Sequence, residues 1–98
     1  MPSVSIIIPT LNEETSLGRT LRQLTLLSPA PEEIIVVDGG SKDETVLIAK
    51  SSFESFPSKI KTKILNCYPG RSVQMNYGAK AATGDILCFL HADTTVPD

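Results

Sequence analysis

The chain has 98 residues, 41% of them hydrophobic and 20% charged, with a formal net charge of -2 at pH 7. That is the composition of one ordinary globular domain, which at this length buries roughly 60 to 65% of the surface its unfolded chain exposes. The balance excludes a disordered or fibrous chain and gives no broad attraction to nucleic acid or anionic lipid; Lys59, Lys61 and Lys63 form a small basic stripe that reads as structural. No apolar run approaches the roughly 18 residues of a membrane span, and Met1-Pro2-Ser3-Val4 lacks a basic segment ahead of an apolar stretch, so the expected setting is cytoplasmic. Cys67 and Cys88 have no Cys-x-x-Cys spacing, and neither a disulfide nor a zinc site is expected.

Four short apolar runs, Val4 to Ile8, Ile34 to Val37, Ile60 to Leu65 and Ile86 to Leu90, alternate with helical patterns. The order is β-α-β-α-β-α-β. The first, second and fourth runs are nearly continuous in Ile, Val and Leu, as in strands of a parallel sheet covered by helices on both faces; in the fourth, Cys88 is expected as a buried thiol. In the third, Ile60, Thr62 and Ile64 alternate with lysines, which suits a sheet edge. The first helix is expected to begin after Asn12 as its cap, with Glu13 and Glu14 in the first turn and Leu17, Leu21 and Leu24 as the buried stripe. Ser41 and Glu44 read as a capping box opening a second helix that buries Val46, Ala49 and Phe53 and ends before Pro57. A third helix starts near Gly70 or Arg71, buries Met75, Ala79 and Ala82, and stops at Gly84 as a left-handed cap.

Right-handed crossovers carry strands one, two and three across the sheet in one direction. With the third at an edge, the fourth falls on the other side of the first, and the predicted order is 3-2-1-4. This is a Rossmann-like open parallel sheet with a topological switch point between strands one and four, where Thr10, Asp38 and Asp93 converge at carboxyl ends of strands.

Chemistry is expected there. Asp38, followed by Gly39-Gly40-Ser41, suits either recognition of a base or ribose or simple capping of neighbouring backbone amides. Arg71 at a helix start suits phosphate oxygens, or is a solvated surface arginine. Asn76 and Tyr77 read as packing or surface residues. His91 and Asp93, two apart after a strand, point the same way if strand geometry persists, so one ion could touch both; alternatively Asp93 caps the turn at Thr94 and Thr95. A carboxylate with an imidazole suits Mn2+ or another transition ion somewhat better than Mg2+. Neither a Gly-x-Gly-x-x-Gly fingerprint nor a P-loop is present.

Three segments, Ser5-Ile6-Ile7-Ile8-Pro9-Thr10-Leu11-Asn12-Glu13-Glu14, Val36-Val37-Asp38-Gly39-Gly40-Ser41-Lys42-Asp43, and Gly84-Asp85-Ile86 through Asp93, together resemble the family 2 glycosyltransferases of GT-A fold. The resemblance covers nearly the whole chain, as a single donor-binding domain over residues 1–98. It implies that Pro9, Thr10 and Glu13 line a nucleoside pocket, that Asp38 binds the base, commonly uracil, that Arg71 lies near the diphosphate, and that Asp93 binds a divalent metal, Mn2+ or Mg2+, with His91 as a second candidate ligand. The helix from Arg71 to Gly84, with Asn76, Gly78, Ala79 and Ala82, is similar to the one that leads to the family's Asp-x-Asp motif. Gly39 and His91 each stand where an aspartate is common in the family, and the Leu-His-Ala-Asp-Thr version looks like a bacterial subgroup.

The implied activity is sugar transfer from a nucleotide-diphosphate-sugar, with a UDP-sugar favoured as partner. The family's acceptor half and general base are expected to lie beyond this chain; Asp98, Asp85 and Glu54 do not fit the base. A competing reading is a non-catalytic nucleotide-binding or structural remnant completed by another chain or by self-association. A nucleotidyltransferase would call for a glycine-rich, basic first loop that this sequence lacks.

Overall fold

In a computed structural model, which describes residues 2–93, the elements follow one another as β1 (Val4–Thr10), α1 (Leu17–Leu24), β2 (Glu33–Asp38), α2 (Thr45–Glu54), β3 (Lys61–Asn66), α3 (Arg71–Ala81) and β4 (Ile86–Phe89). The four strands form one parallel sheet in the order β3-β2-β1-β4. Both the 3-2-1-4 order and the edge position of β3 are as the lysine pattern and crossover rule require.

Period-two geometry divides the central strands between two cores. Ile6 and Ile8 of β1, in register with Ile34 and Val36 of β2, face one way and pack with Leu17, Leu21 and Leu24 of α1 and Ala49 of α2. Ile7, Ile35 and Val37 face the other way, against Ala79 and Ala81 of α3. Each fully buried Ile or Leu contributes roughly 1.5 to 3 kcal/mol through loss of its apolar surface to water. The first core is aliphatic and deep; the second is thin, because α3 lies almost directly on the sheet.

Gly78 makes that approach possible: a Cβ there would stand 2.5 Å from Ile7 Cγ2 and 3.0 Å from Val37 Cγ2. The buried positions of α3 are Gln74 and Gly78. Met75, expected in the core, is half-buried, while Ala79 and Ala82 pack on the second core only partly buried. Apolar periodicity misjudges this helix because what touches the sheet is backbone and an amide. In α2, Ala49 is buried and Phe53 packs on the first core with Ile48; Val46 is half-buried outside both cores.

The expected helix ends need correction. The first helix begins at Leu17, four residues later than the start expected after Asn12, with Ser16 at its N-cap; Asn12 has φ 55°, Glu13 and Glu14 precede the helix, and Asn12 binds a neighbouring loop instead. The Ser41 and Glu44 capping box does not form. α2 starts at Thr45, whose amide donates to Asp43 Oδ1 at 3.0 Å, while Ser41 turns its hydroxyl to Asp38. α3 ends at Ala81 with an extended Ala82, so Gly84 is not a helix cap. It fits against β1, where a Cβ would come within 2.5 Å of Ser5 Oγ. β4, expected to be covered on both faces, is the second sheet edge, with Ile86, Leu87 and Phe89 exposed and Cys88 half-buried.

At the amino end of the sheet a buried carboxylate ties α3 and β4 down. Glu33, fully buried, accepts hydrogen bonds at Oε1 from Ser5 Oγ (2.7 Å) and the Thr83 amide (2.6 Å), and pairs through Oε2 with Lys63 Nζ at 3.1 Å. Lys63 Nζ also donates to the Ala81 carbonyl, 2.6 Å away. Lys63 is thus a structural cation, as is Lys61, paired with Glu32. Burial alone would raise the Glu33 carboxyl, but the Thr83 amide, the Ser5 hydroxyl and the Lys63 ammonium outweigh it and hold the group below its ordinary value.

Two expectations follow for stability. A depressed native pKa means that the contribution of Glu33 is complete above the unfolded glutamate value and disappears as pH falls through the lowered native one. Glu33→Ala, which strands the Thr83 and Ser5 donors, should therefore lower unfolding free energy by about 2 to 4 kcal/mol near neutrality. Urea melts at several pH values should show the difference from wild type shrinking in acid. Gly78→Ala should destabilise the fold by about 1 to 3 kcal/mol through overpacking, although alanine is the better helix former by about 1 kcal/mol. A stabilised thermal melt would contradict the close contact with Ile7.

Candidate functional site

A parallel sheet ends in backbone groups that its own ladder does not satisfy. At the carboxyl ends of β1 and β2 two side chains meet them. Asp38, the last residue of β2 and 1% exposed, accepts from Thr10 Oγ1 (2.8 Å) and Ser41 Oγ (2.6 Å) at Oδ1, and from the Gly40 and Ser41 amides (3.1 and 2.7 Å) at Oδ2. Its oxygens are thereby used as the capping alternative describes. Gln74, buried in the first turns of α3, donates from Nε2 to the carbonyls of Thr10 (2.9 Å) and Val37 (2.8 Å). Its Oε1 accepts from the Gly70 amide at 3.0 Å.

The loops beyond β1 and β2 are laced together. Asn12 donates its amide to Ser41 Oγ and accepts the Lys42 amide at Oδ1, both at 2.8 Å. The Glu13 amide donates to Thr45 Oγ1 at 2.8 Å, and the Glu14 amide to Asp43 Oδ2 at 3.2 Å. Asp43 also accepts the Thr45 hydroxyl. Burial alone would raise the Asp43 carboxyl, but the Thr45 hydroxyl and amide and the Glu14 amide lower it. Short polar side chains replace ladder bonds here, which is why these residues sit in the loop and not in the helices that follow.

Beyond β4, the Leu90 amide still donates to the Ile7 carbonyl (3.0 Å), so the chain runs on beside β1. Ala92 then turns inward, 2% exposed, and its carbonyl accepts the hydroxyl of Thr20 from α1 at 2.5 Å. His91 and Asp93 are both exposed and line one cleft together with Ala92; β4 ends at Phe89 and the chain turns at Ala92 and Asp93, so the strand geometry on which their shared direction is conditional does not persist.

That cleft, about 330 Å3, is lined by Pro9, Thr10 and Glu13 on one side, Gly70, Arg71 and Gln74 on another, and His91 to Asp93 on a third. Every residue singled out for donor or metal binding lines it except Asp38, which lies inside the wall through its bond to Thr10. Arg71 is exposed at the first position of α3, where the leading amides have no carbonyl partner within the helix. The cleft therefore combines a guanidinium, a helix N-terminus, an imidazole and two carboxylates. Among the described residues no group of three His, Cys, Asp or Glu side chains is gathered for a metal. The turn at Thr94 and Thr95, proposed as the alternative partner of Asp93, lies outside the described residues.

Other hollows lack this convergence. One of about 420 Å3, lined by Val4, Leu27, Pro29 and Cys88, is largely apolar and lies at the amino end of the sheet. Another, about 460 Å3, is formed by Asn66, Cys67, Tyr68 and Tyr77; burial and the charge of Asp38 push the Cys67 thiol up, which keeps it protonated. Asn76 is exposed and Tyr77 half-exposed, in keeping with surface roles. Sequence reasoning missed Gln74 and Thr20. Both lie within helical patterns where a polar residue reads as solvated, and only the crossover that places α3 and α1 against the ends of β1 and β4 reveals their partners.

No helix among the described residues is long and apolar enough to cross a membrane. A family model described as "Glycosyl transferase family 2" matches residues 5–98. The chain is 35% identical over 99 aligned positions to the probable glycosyltransferase YdaM of Bacillus subtilis, covering 97% of itself and 24% of that relative. The mannosyltransferase PcManGT of Pyrobaculum calidifontis, solved in complex with GDP-Man and Mn2+, superposes with a TM-score of 0.90 at 26% identity, over 99% of this chain and 29% of that one. S. aureus TarS in complex with UDP-GlcNAc gives a TM-score of 0.77 at 27% identity, over 93% of this chain and 26% of the other. The chain thus spans about a quarter to a third of the length of the curated relatives it matches. The sheet order, the helices that alternate with its strands and a match running from Ser5 onward agree: the chain belongs to glycosyl transferase family 2.

Proposed function

We propose that this chain is the donor-binding half of a glycosyltransferase that transfers a sugar from a nucleotide-diphosphate-sugar, a UDP-sugar by preference. The observation that carries the reading is the single cleft at the switch point, shared by Pro9, Thr10, Glu13, Arg71, His91 and Asp93. In this reading Pro9, Thr10 and Glu13 border the nucleoside. Asp38 sets the base end by fixing the Gly39-Gly40-Ser41 turn and the Thr10 hydroxyl against it. Arg71 and the leading amides of α3 take the diphosphate, where a planar cation and aligned donors suit phosphate oxygens.

Asp93, with His91 beside it, holds a divalent metal, Mn2+ or Mg2+. The residues fit such an ion: a carboxylate and an imidazole open to one cleft leave coordination positions for diphosphate oxygens and water. When bound, the ion supplies positive charge that stabilises a departing diphosphate. No general base is assigned to a residue of this chain. A cytoplasmic, bacterial setting fits the two free cysteines and the Leu90-His91-Ala92-Asp93-Thr94 motif.

Calorimetry with UDP, GDP and their sugars, each with Mn2+, tests the reading. A UDP-nucleotide should bind, and Asp93→Ala should weaken it at least about tenfold, close to 1.4 kcal/mol, with a smaller loss for His91→Ala. No heat with any nucleotide, or affinity indifferent to Asp93, would end it.

One observation favours a second reading, a non-catalytic domain completed by another chain or by itself: β4 is an edge strand with Ile86, Leu87 and Phe89 all exposed. Sedimentation velocity should then show concentration-dependent association that Phe89→Lys weakens. A clean monomer at all concentrations would remove self-association.

A further inference from the structure

We propose that Gln74 is the positioning residue of the donor cleft, the side chain that sets Arg71 and the first turn of α3 against the ends of β1 and β2. The inference rests on the donor reading given above for its ligand, and on this chain's own geometry for its mechanism.

Both polar atoms of one buried side chain are committed, through three hydrogen bonds. Nε2 directs its two hydrogens at carbonyls from different strands, Thr10 and Val37, and Oε1 takes the Gly70 amide immediately before Arg71. The backbone amide of Gln74 donates back to the Gly70 carbonyl at 2.9 Å, so residues 70 and 74 are joined reciprocally, as in a capping box. Gly70 has φ 143°, a conformation that favours glycine, and the Gln74 amide holds it there. The position of Arg71 in the cleft thus depends on a clamp whose polar atoms are all bonded within the protein.

Gly39 is the other half of this arrangement. A Cβ at Gly39 would stand 2.9 Å from Gln74 Oε1 and 3.0 Å from the Pro69 Cα. The space that a side chain at residue 39 would fill is taken by the glutamine amide. By contrast, the base end of the cleft is held by the Asp38 bonds to Thr10, Gly40 and Ser41, and Gln74 reaches it only through the backbone carbonyls of Thr10 and Val37. Loss of the clamp should therefore disturb the phosphate end of a bound nucleotide more than the nucleoside end.

The test compares wild type with Gln74→Met, which keeps length and removes all three bonds, and with Gly39→Ala, which presses on the same amide from the other side. Nuclear magnetic resonance of the 15N-labelled chain should show the Gly70 and Arg71 amides shifted and less protected from exchange in both variants. In Mn2+, UDP affinity of Gln74→Met should fall about tenfold or more, as a displacement near 1 Å can produce, while its uridine affinity changes less than about twofold. A melting temperature that falls with the UDP-to-uridine ratio unchanged would make Gln74 merely structural and overturn the proposal, as would unmoved Gly70 and Arg71 amides. Failure of the wild-type chain to bind UDP would instead sink the donor reading; the amide shifts of residues 70 and 71 then decide the role of Gln74 alone.

Discussion

Where a parallel sheet stops, its last carbonyls and amides must find partners, and at the ends of β1 and β2 they find them in neighbouring backbone amides and in the side chain of Gln74. Asp38 collects donors from three neighbours, and Gln74 delivers hydrogens to two strands while holding the start of a helix. The same bonds that make the sheet end tolerable shape the cleft, because the loops they restrain are its walls. Stability and the shape of the cleft here share one set of atoms.

The opposite end of the sheet solves a comparable problem with charge. Glu33 is fully buried, yet its carboxylate meets a hydroxyl, an amide and an ammonium from three different segments. A buried carboxylate with one partner removed would be strongly destabilising; with all of them present it locks β2 to the exit of α3. The helix is thereby pinned at both ends, by Gln74 near its start and by Lys63 on the Ala81 carbonyl at its finish. Between those pins, Gly78 lets its backbone approach Ile7.

Much of this was legible in the sequence because it depends on period and on topology. Continuous Ile and Val runs marked β1 and β2, alternating lysines marked β3 as an edge, and right-handed crossover logic then required the observed order. His91 and Asp93 line the cleft beside Thr10 through a turn at Ala92, not through the strand alternation that their spacing suggests. What the pattern did not reveal were contacts made by polar side chains across long sequence separations. Ser41 resembles a helix cap until its hydroxyl is seen to donate to Asp38 and accept from the Asn12 amide, and Asn12 does likewise until Lys42 is brought beside it. The edge position of β4 follows from the predicted order, whereas the exposure of Ile86, Leu87 and Phe89 on its faces does not show in the pattern, because an apolar strand reads the same whether or not a helix covers it.

The strand order also governs how the chain can fold. β1 is the first strand in sequence and a central one in the sheet, flanked by β2 and by β4, with Val4 paired to Ile86. As the polypeptide leaves the ribosome, Ile6, Ile7 and Ile8 emerge before either neighbouring strand exists, and half their ladder must wait for the most distant segment. Closing that long loop is entropically slow, so the early chain carries an unpaired aliphatic strand during synthesis. The β1–α1–β2–α2–β3 segment emerges first, and only β4 brings Cys88, Leu90 and Ala92 to the first core and His91 and Asp93 to the cleft.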